Sequence, residues 1–386
     1  MGPAQGMRWL VIGALALLLF LAAPRPLTVL AEIEDWQITG LTDGEIVRLQ
    51  TPASGAFFAT VRTKTESGYS FSTFRSDNGG ETWQPVSVPP DLSVVRVDPV
   101  DHSILYAASK EAFHKSMDGG GTWEQVLPNP SSPNLSYVPI NGMAISEADH
   151  DVVYLQDVKP ISSLRIVRTR DGGATWERAL DGYGNSSSCF FVTSALLAHG
   201  TDPSRVLLVA SCRHPSDLSL GDLSMPLRLS ADYGTTWDRV GSLPAGTVTD
   251  LIGWRGATPE RLYLALRHKA QGENTGDKSG GSSLHRSDDD GHTWTTVLSF
   301  TDEGAPEQGT EIGALAYDPA HPDRVYLATG GGVRASTDGG TRWTKLGRQD
   351  LPPIITLAPG VDGQNVYAGT EHGLYRLRLT ATSEAP

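Results

Sequence analysis

The chain of 386 residues carries 31 basic and 44 acidic side chains, which give it a formal net charge of −13 at pH 7. An acidic surplus with no cluster of Lys or Arg excludes nucleic acid and anionic membrane surfaces as partners. Two cysteines are too few for a zinc site, and none of the ten histidines stands in a metal-ligand spacing. We therefore expect neither a metal nor a cofactor.

Residues 1–31 have the features of a signal peptide. Arg8 supplies the positive charge, residues 9–23 form an apolar run, and residues 29–31 offer a small-residue cleavage site. The run is shorter than the ~20 apolar residues of a spanning helix; an uncleaved anchor is the alternative interpretation. We predict an exported, extracytoplasmic mature chain, residues 32–386, with no membrane span. Its net charge is −15, because residues 1–31 contain two basic residues and no acid.

An octapeptide close to the pattern Ser-x-Asp-x-Gly-x-Thr-Trp occurs six times in the rest of the chain, with departures at Thr169, Asn78 and Arg342. Its third and eighth positions hold Asn78 and Trp83, Asp118 and Trp123, Asp171 and Trp176, Asp232 and Trp237, Asp289 and Trp294, and Asp338 and Trp343. The Asp or Asn can accept hydrogen bonds from nearby backbone N–H groups, and the Gly permits a positive φ. The pattern therefore predicts a tight turn between two strands. Successive copies start 40 to 61 residues apart, which is typical of arrays of small β units.

Each repeat divides into four strand-like runs, with the octapeptide between the third and the fourth. The sixth repeat shows this plan over residues 312–317, 324–329, 332–336 and 343–346. After it come three more runs and no octapeptide. The missing fourth strand is predicted at the start of the chain, where Asp35-Trp36-Gln37-Ile38 resembles the segments that come after the octapeptides.

The predicted fold class is therefore all-β: a seven-bladed β-propeller of four-stranded blades, forming one domain over residues 32–386. Pairing of the N-terminal strand with the last blade would close the ring. Closure leaves only short, protected sheet edges, so we expect a monomer.

The octapeptide resembles the Asp-box, or bacterial neuraminidase repeat, which belongs with the WD40-like and YVTN-like repeats. Sialidases, sortilin-type receptors, xyloglucan-degrading glycosidases and photosystem II assembly factors contain it. In those families the box joins the third and fourth strands of a propeller blade, away from the active sites. The resemblance thus implies a β-propeller in which the octapeptide residues are structural. The string from Thr169 to Glu177 is similar to boxes of the single-propeller photosystem II assembly factors.

Cys189 and Cys212 are predicted in the first and second strands of the fourth blade, on either side of a turn over residues 199–204. The register places them within two residues of directly opposite, where a Cα separation of about 4.5–5.5 Å suits a disulfide. We predict this disulfide because the chain is exported. Two buried free thiols are the alternative.

Predicted loop lengths differ between the two faces of the propeller. The turns between first and second strands and the octapeptide turns are short, and they define a short-turn face. The loops on the opposite, long-loop face vary in length and include residues 157–163, 213–225 and 269–283. Binding residues are often carried by loops on a rigid scaffold. We expect a protein or glycan ligand on the long-loop face; neutral insertions are the alternative.

Arg62, Arg213 and Arg267 all lie near the ends of predicted second strands, toward the long-loop face. Guanidinium groups placed together there could clamp a carboxylate, and we nominate them as ligand-binding residues. In sialidases an arginine triad holds the substrate carboxylate. This chain, however, lacks the Phe/Tyr-Arg-Ile-Pro motif found near the start of that family, and no Tyr–Glu nucleophile pair can be assigned.

Glycosidase chemistry requires two carboxyl groups about 5–9.5 Å apart. Xyloglucan-degrading glycosidases usually build that site in a cleft between two propellers, and this chain has the length of one. Asp250 and Glu311 are the only acids that the sequence nominates, and a surface position is expected for both. The sequence-based expectation is therefore an exported, non-catalytic binding or assembly scaffold rather than an enzyme. The alternative is a glycoside hydrolase related to exo-sialidases.

Overall fold

The computed structural model describes residues 35–89, 94–108, 112–127, 142–159, 163–183, 190–213, 223–224, 227–253, 261–269, 279–301, 311–318, 321–347 and 351–379. These residues form seven antiparallel sheets of four strands, one of which carries a short extra strand. The predicted fold, a seven-bladed β-propeller, is confirmed. The predicted signal peptide and Cys189 lie outside the described residues. Within the described ranges, no helix has the length and hydropathy needed to cross a bilayer.

The strands are numbered in chain order, and the first, β1 (Gln37–Ile38), belongs to the last blade. Blades 1 to 3 comprise β2 (Glu45–Gln50), β3 (Phe57–Thr65), β4 (Gly68–Ser76) and β5 (Gln84–Pro85); β6 (Val94–Val97), β7 (Leu105–Ala108), β8 (Phe113–Ser116) and β9 (Glu124–Leu127); and β10 (Met143–Ile145), β11 (Val153–Lys159), β12 (Ser163–Thr169) and β13 (Glu177–Tyr183).

Blades 4 to 7 have the same order. They comprise β14 (Phe190–Ala198), β15 (Val206–Arg213), the extra β16 (Leu223–Ser224), β17 (Arg228–Ser230) and β18 (Asp238–Arg239); β19 (Thr247–Gly253), β20 (Leu262–Lys269), β21 (Ser279–Ser287) and β22 (Thr295–Thr301); β23 (Ala314–Tyr317), β24 (Val325–Thr329), β25 (Gly332–Ser336) and β26 (Thr344–Leu346); and β27 (Ile354–Pro359), β28 (Asn365–Thr370) and β29 (Gly373–Arg378), completed by β1.

The hydrophobic core lies between the blades. Alternate side chains of a strand point to opposite faces of its sheet, so each second strand serves two neighbours. In β24, Val325 and Leu327 pack toward blade 5, whereas Tyr326 and Ala328 pack toward blade 7. Seven buried clusters join the seven pairs of adjacent blades, including the pair formed by blades 7 and 1. Each blade therefore depends on both neighbours to bury its apolar faces.

The two ends of the propeller meet as predicted. Gln37 and Ile38 of β1 pair with Arg376 and Tyr375 of β29. The indole Nε1 of Trp36 lies 3.4 Å from the carbonyl oxygen of Leu346 and donates a hydrogen bond to it. The N-terminal strand thus completes the last blade and closes the ring.

The six octapeptides form turns that share one hydrogen-bond pattern, which the fourth blade illustrates. The Ser230 hydroxyl donates to Asp232 Oδ1 and accepts a bond from the Gly234 N–H at 2.7 Å. Asp232 also accepts bonds from the N–H and hydroxyl of Thr236, at 2.8 and 2.6 Å. The Trp237 Nε1 donates to the Gly234 carbonyl at 2.9 Å. The fourth strands that follow these turns begin one residue later than predicted, after the Trp.

The fourth blade contains a feature that the sequence pattern did not predict. The strand β16 pairs with Ser211 and Cys212 of β15, inside the region predicted as a loop. Cys212 also pairs across the sheet with Phe191 of β14. Because Cys189 lies outside the described residues, the Cys189–Cys212 disulfide stays a prediction.

Candidate functional site

The innermost strands of four blades carry a β-bulge. The register shifts between Ile46 and Arg48 in blade 1 and between Val248 and Asp250 in blade 5. Equivalent shifts occur in β14 of blade 4 and β27 of blade 7. A bulge inserts an extra residue and re-aims the side chains beside it. Two charged side chains, Arg48 and Asp250, come directly after such bulges.

The ends of the inner strands surround a cavity of about 460 Å³ in the central channel. All seven blades contribute to its wall. The lining residues come from the second halves of the inner strands and the turns after them, so the cavity lies toward the short-turn face. Its charged and amide side chains belong to Gln50, Arg96, Asp98, Glu147 and Asp250. A cavity of this volume is within the usual range for small-molecule sites.

Asp250 is an acid in this wall whose protonation is altered by its surroundings. It lies in the middle of β19, opposite Ala265 of β20, and is half-buried in the channel. Burial raises the pKa of its carboxyl to about 6, although the backbone N–H of Leu251 favours the charged form. A carboxyl group with this pKa holds its proton under mildly acidic conditions, which is what a general acid must do.

Arg96 of blade 2 lines this wall, and Arg48 lies near it on the inner strand of blade 1. Burial lowers the pKa of Arg48 to about 10. Burial, and then the positive charge of Arg48, lower the pKa of Arg96 well below its ordinary value. The Nε of Arg96 is buried and has no hydrogen-bond partner in the part of the chain that the structure describes. Two cations therefore lie close enough to affect each other, on the inner strands of adjacent blades.

Gln50 fixes the backbone on either side of Arg96. Its Nε2 donates to the Val95 carbonyl at 3.1 Å, and its Oε1 accepts the Val97 N–H at 2.9 Å. The side chain thereby binds the inner edge of β6 from the neighbouring blade. Arg96 is held in a defined position as a result.

The other two cavity acids have different roles. Asp98 is fully buried, and its Oδ1 accepts the N–H groups of Val100 and Asp101, each at 2.9 Å. It therefore shapes the turn after β6. Glu147 comes after β10, is half-buried and lines the same cavity. Asp250, with its raised pKa, is the first candidate reacting acid of the cavity, and Glu147 is a second carboxyl group in the same lining.

The three arginines nominated from the sequence do not form a described cluster. Arg62 makes an ion pair with Glu45, its cross-strand partner, and its guanidinium lies 5.0 Å from the Tyr69 ring centroid. Arg213 ends β15, and its side chain lies outside the described part of the structure. Arg267 pairs with Thr247 and Ser282 in blade 5. Most of the long loops also lie outside the described residues, so a ligand on the long-loop face stays a prediction.

The two nominated acids lie in different environments. Glu311 is exposed and borders a smaller cavity of about 260 Å³ between blades 6 and 7. Asp250 occupies the channel wall, so the surface position expected for it was wrong. The inner strand bends at a bulge there, and the sequence alone does not reveal the bulge.

The octapeptide carboxylates are engaged in their own turns. Hydrogen bonds from the N–H and hydroxyl of Thr122 and from Ser116 lower the pKa of Asp118 to about 2. Similar bonds from Thr236 and Ser230 lower the pKa of Asp232 to about 2. Among the residues that the structure describes, no group of three or more His, Cys, Asp or Glu side chains could hold a metal ion.

Comparisons with known proteins connect this propeller with glycan-degrading enzymes. No protein-family model matches the chain. A xyloglucanase from Paenibacillus sp is 26% identical over 402 residues, which span 87% of this chain and 36% of that enzyme. The chain therefore spans about a third of the length of this curated relative.

Solved structures share the fold at lower identity. The GH74 xyloglucanase from Xanthomonas campestris aligns with a TM-score of 0.59 and 20% identity, over 91% of this chain and 54% of that one. YCF48 bound to D1 peptide aligns with a TM-score of 0.55 and 15% identity, over 92% and 99% of the two chains. Likeness at this level shows a common propeller architecture.

The similarity to a xyloglucanase overturns the sequence-based expectation of a non-catalytic scaffold that is not an enzyme. That expectation rested on the absence of sialidase motifs and of a second propeller to form a cleft, and it was wrong because a xyloglucanase is similar over most of the chain. The alternative interpretation, a glycoside hydrolase, agrees better with the comparisons. The sequence did contain a signal for the channel site: isolated charged residues within apolar inner strands, as in Val95-Arg96-Val97.

Proposed function

We propose that this chain is a glycoside hydrolase that cleaves a xyloglucan-type β-glucan, with its reacting groups in the central channel. The similarity to the Paenibacillus xyloglucanase over most of the chain supports the reaction class and the polysaccharide. The observation that carries the assignment to the channel is Asp250. It is a carboxyl group with a pKa of about 6 in a cavity of about 460 Å³.

Asp250 serves as the general acid in this proposal. Below pH 6 its carboxyl is mainly protonated, and it donates that proton to the glycosidic oxygen as the bond from this oxygen to the anomeric carbon breaks. Glu147 serves as the second carboxylate: it takes a proton from the water whose oxygen bonds to the anomeric carbon. Asp98 does not take this role, because its side chain is fully buried and its Oδ1 is held by two backbone N–H groups and lies 2.8 Å from Nδ1 of His150.

The shape of the cavity favours one end of a glycan as the substrate. Seven inner strands enclose the cavity on its sides, so a polymer reaches it along the channel axis. We therefore propose cleavage near a chain end, with release of short products. A polymeric substrate also favours action outside the cell, and export by a signal peptide over residues 1–31 would agree with this.

The test is hydrolysis of xyloglucan by residues 32–386, measured as released reducing sugar, with the products separated by size. We expect activity that Asp250→Asn lowers by about 10²–10⁴-fold, and a comparable loss in Glu147→Gln. Glu311→Gln, a change to an exposed acid beside a different cavity, is the matched control and should retain activity. Failure of the wild-type chain to cleave any β-glucan would overturn the hydrolase. Full activity in Asp250→Asn would overturn the channel as its site.

A further inference from the structure

We propose that the central channel contains a binding site for a carboxylate, held by Arg96 of blade 2 and Arg48 of blade 1. Such a site would bind its ligand without any reaction, so it can be tested whether or not the chain is a hydrolase. It differs from the sequence-based nomination of Arg62, Arg213 and Arg267, because it uses inner strands and lies in the channel.

Arg96 has donor capacity that the described protein does not use. Its Nε is buried without a hydrogen-bond partner, and no ion pair joins Arg96 to an acid of the described residues. A buried donor without a partner is costly, so native proteins rarely leave one unless a ligand or water fills its place. Arg96 also lines the cavity, where a ligand could reach its guanidinium.

The site has a second cation close to the first. Arg48 comes directly after the bulge in the inner strand of blade 1, two residues before Gln50, whose side chain bonds to the backbone on either side of Arg96. The charge of Arg48 contributes to the lowered pKa of Arg96, which shows that the two guanidinium groups interact unfavourably. An anion bound by Arg96 would offset that repulsion.

Arg96 is also positioned in advance. Gln50 bonds to the backbone carbonyl before Arg96 and to the backbone N–H after it, at 3.1 and 2.9 Å. A rigid backbone lowers the entropic cost of holding a ligand with one side chain. Gln50 is therefore a positioning residue for the proposed site.

A singly charged carboxylate suits this cavity better than a phosphate dianion does. Asp98, Glu147 and Asp250 line the same space and would repel a second negative charge. Guanidinium groups match the planar, two-oxygen geometry of a carboxylate. The apolar lining, including Leu49, Met143 and Leu315, can contact the carbon skeleton of the ligand. A sugar acid combines these features.

The probe is glucuronate, compared with glucose as its neutral counterpart and with acetate as a carboxylate that lacks the sugar. Binding to residues 32–386 would be measured by calorimetry, and ligand-induced stabilisation by thermal unfolding. We expect glucuronate to bind at least 10-fold more tightly than glucose and to raise the Tm. Acetate binding as tightly as glucuronate would also support the site and would limit recognition to the carboxyl group.

Variants distinguish this site from the arginines that were nominated from the sequence. Arg96→Gln and Arg48→Gln should each weaken glucuronate binding at least 10-fold, and Arg96→Lys should weaken it less than Arg96→Gln does. Gln50→Ala should weaken it without removing a charge. Arg62→Gln, which changes a guanidinium already paired with Glu45, should leave binding unchanged.

Three results would overturn the proposal. The first is equal affinity for glucuronate and glucose. The second is unchanged glucuronate binding by an Arg96→Gln variant that unfolds like the wild type. A loss in Arg62→Gln as large as that in Arg96→Gln would place the carboxylate elsewhere. If Arg96→Gln fails to fold, Arg48→Gln and Gln50→Ala decide the question in the same way. All of these measurements are made without turnover, so they stand apart from the test of hydrolysis.

Discussion

The hydroxyl of Tyr367 donates a hydrogen bond of 2.7 Å to the carbonyl of Gly79, which joins the second strand of blade 7 to the octapeptide turn of blade 1. The tyrosine ring also packs on Phe57, with the centroids 4.4 Å apart. Gly79 adopts φ = 67° in this turn, a region that favours glycine. The contact spans 288 residues of sequence and strengthens the closure of the ring.

Tyrosines at the same place in other second strands provide a matched comparison. Tyr154 and Tyr263 donate to carbonyls of the next blade, at Pro203 and Pro322. Tyr106 is equally buried, but its hydroxyl has no hydrogen-bond partner. Removing a bonded hydroxyl should therefore cost stability, and removing the unbonded one should not.

We expect Tyr367→Phe to lower the free energy of unfolding by about 1 kcal/mol, since it removes one hydrogen bond from a buried site. Tyr106→Phe should leave the free energy unchanged or raise it slightly, because it removes a buried hydroxyl that has no partner. Urea unfolding of both variants beside the wild type checks this. Equal losses in the two variants would show that the hydroxyl of Tyr367 has no special role in closing the ring.

The hydroxyl side chain that opens each octapeptide turn, a serine in five copies and Thr169 in blade 3, also contributes to stability. Ser230 is buried, and its hydroxyl accepts the N–H of the buried Gly234. We expect Ser230→Ala to cost about 1–3 kcal/mol, because it leaves that N–H without an acceptor. Ser230→Thr should cost much less, since blade 3 already uses Thr169 at this position for the same bond, at 2.9 Å. A loss in Ser230→Thr as large as that in Ser230→Ala would point to packing around the side chain instead.

The closing strand can be tested through its tryptophan. Trp36 is half-buried, packs against the cluster between blades 6 and 7, and bonds to the Leu346 carbonyl. We expect Trp36→Ala to lower the free energy of unfolding by about 2–3 kcal/mol, below the ~3–5 kcal/mol of a fully buried Trp. Gln37 is exposed, and Gln37→Ala keeps its backbone pairing. The free energy of unfolding of this variant should therefore stay within about 0.5 kcal/mol of the wild type. Similar values for both would argue that the closing strand contributes only its backbone.

The overall fold could be predicted because its determinants are local and repeated. The octapeptides mark the turn between third and fourth strands in six blades, and the segment around Trp36 matches the fourth strands of those blades. The closing pair between Ile38 and Tyr375 is expected from counting strands. None of these steps needed a distance between remote residues.

The candidate site could not be predicted in the same way. Whether Asp250 faces the channel depends on a bulge one residue before it, and a one-residue change in register moves side chains to the other face of a strand. Arg62, nominated for a ligand, proved to be paired with Glu45 across the sheet. Isolated charges such as Arg96 were visible in apolar strands, but the groups that they face depend on the ring as a whole.

The pH dependence of stability provides a test of Asp250 that does not require a substrate. Burial raises its pKa in the folded state to about 6 from an ordinary 3.8, so the folded chain binds this proton more tightly than the unfolded chain does. The resulting cost to stability is absent below about pH 4, grows between about pH 4 and 6, and is complete above that range. The pKa difference corresponds to ~3 kcal/mol at ~1.4 kcal/mol per pH unit, and channel water that reaches this half-buried group reduces it.

We expect Asp250→Asn to raise the free energy of unfolding by about 1–3 kcal/mol at pH 7.5 and to change it little at pH 4. Urea unfolding at both pH values measures this, with the exposed Asp43→Asn as control. The same gain at pH 4 as at pH 7.5 would mean that the carboxyl does not titrate in the channel as described.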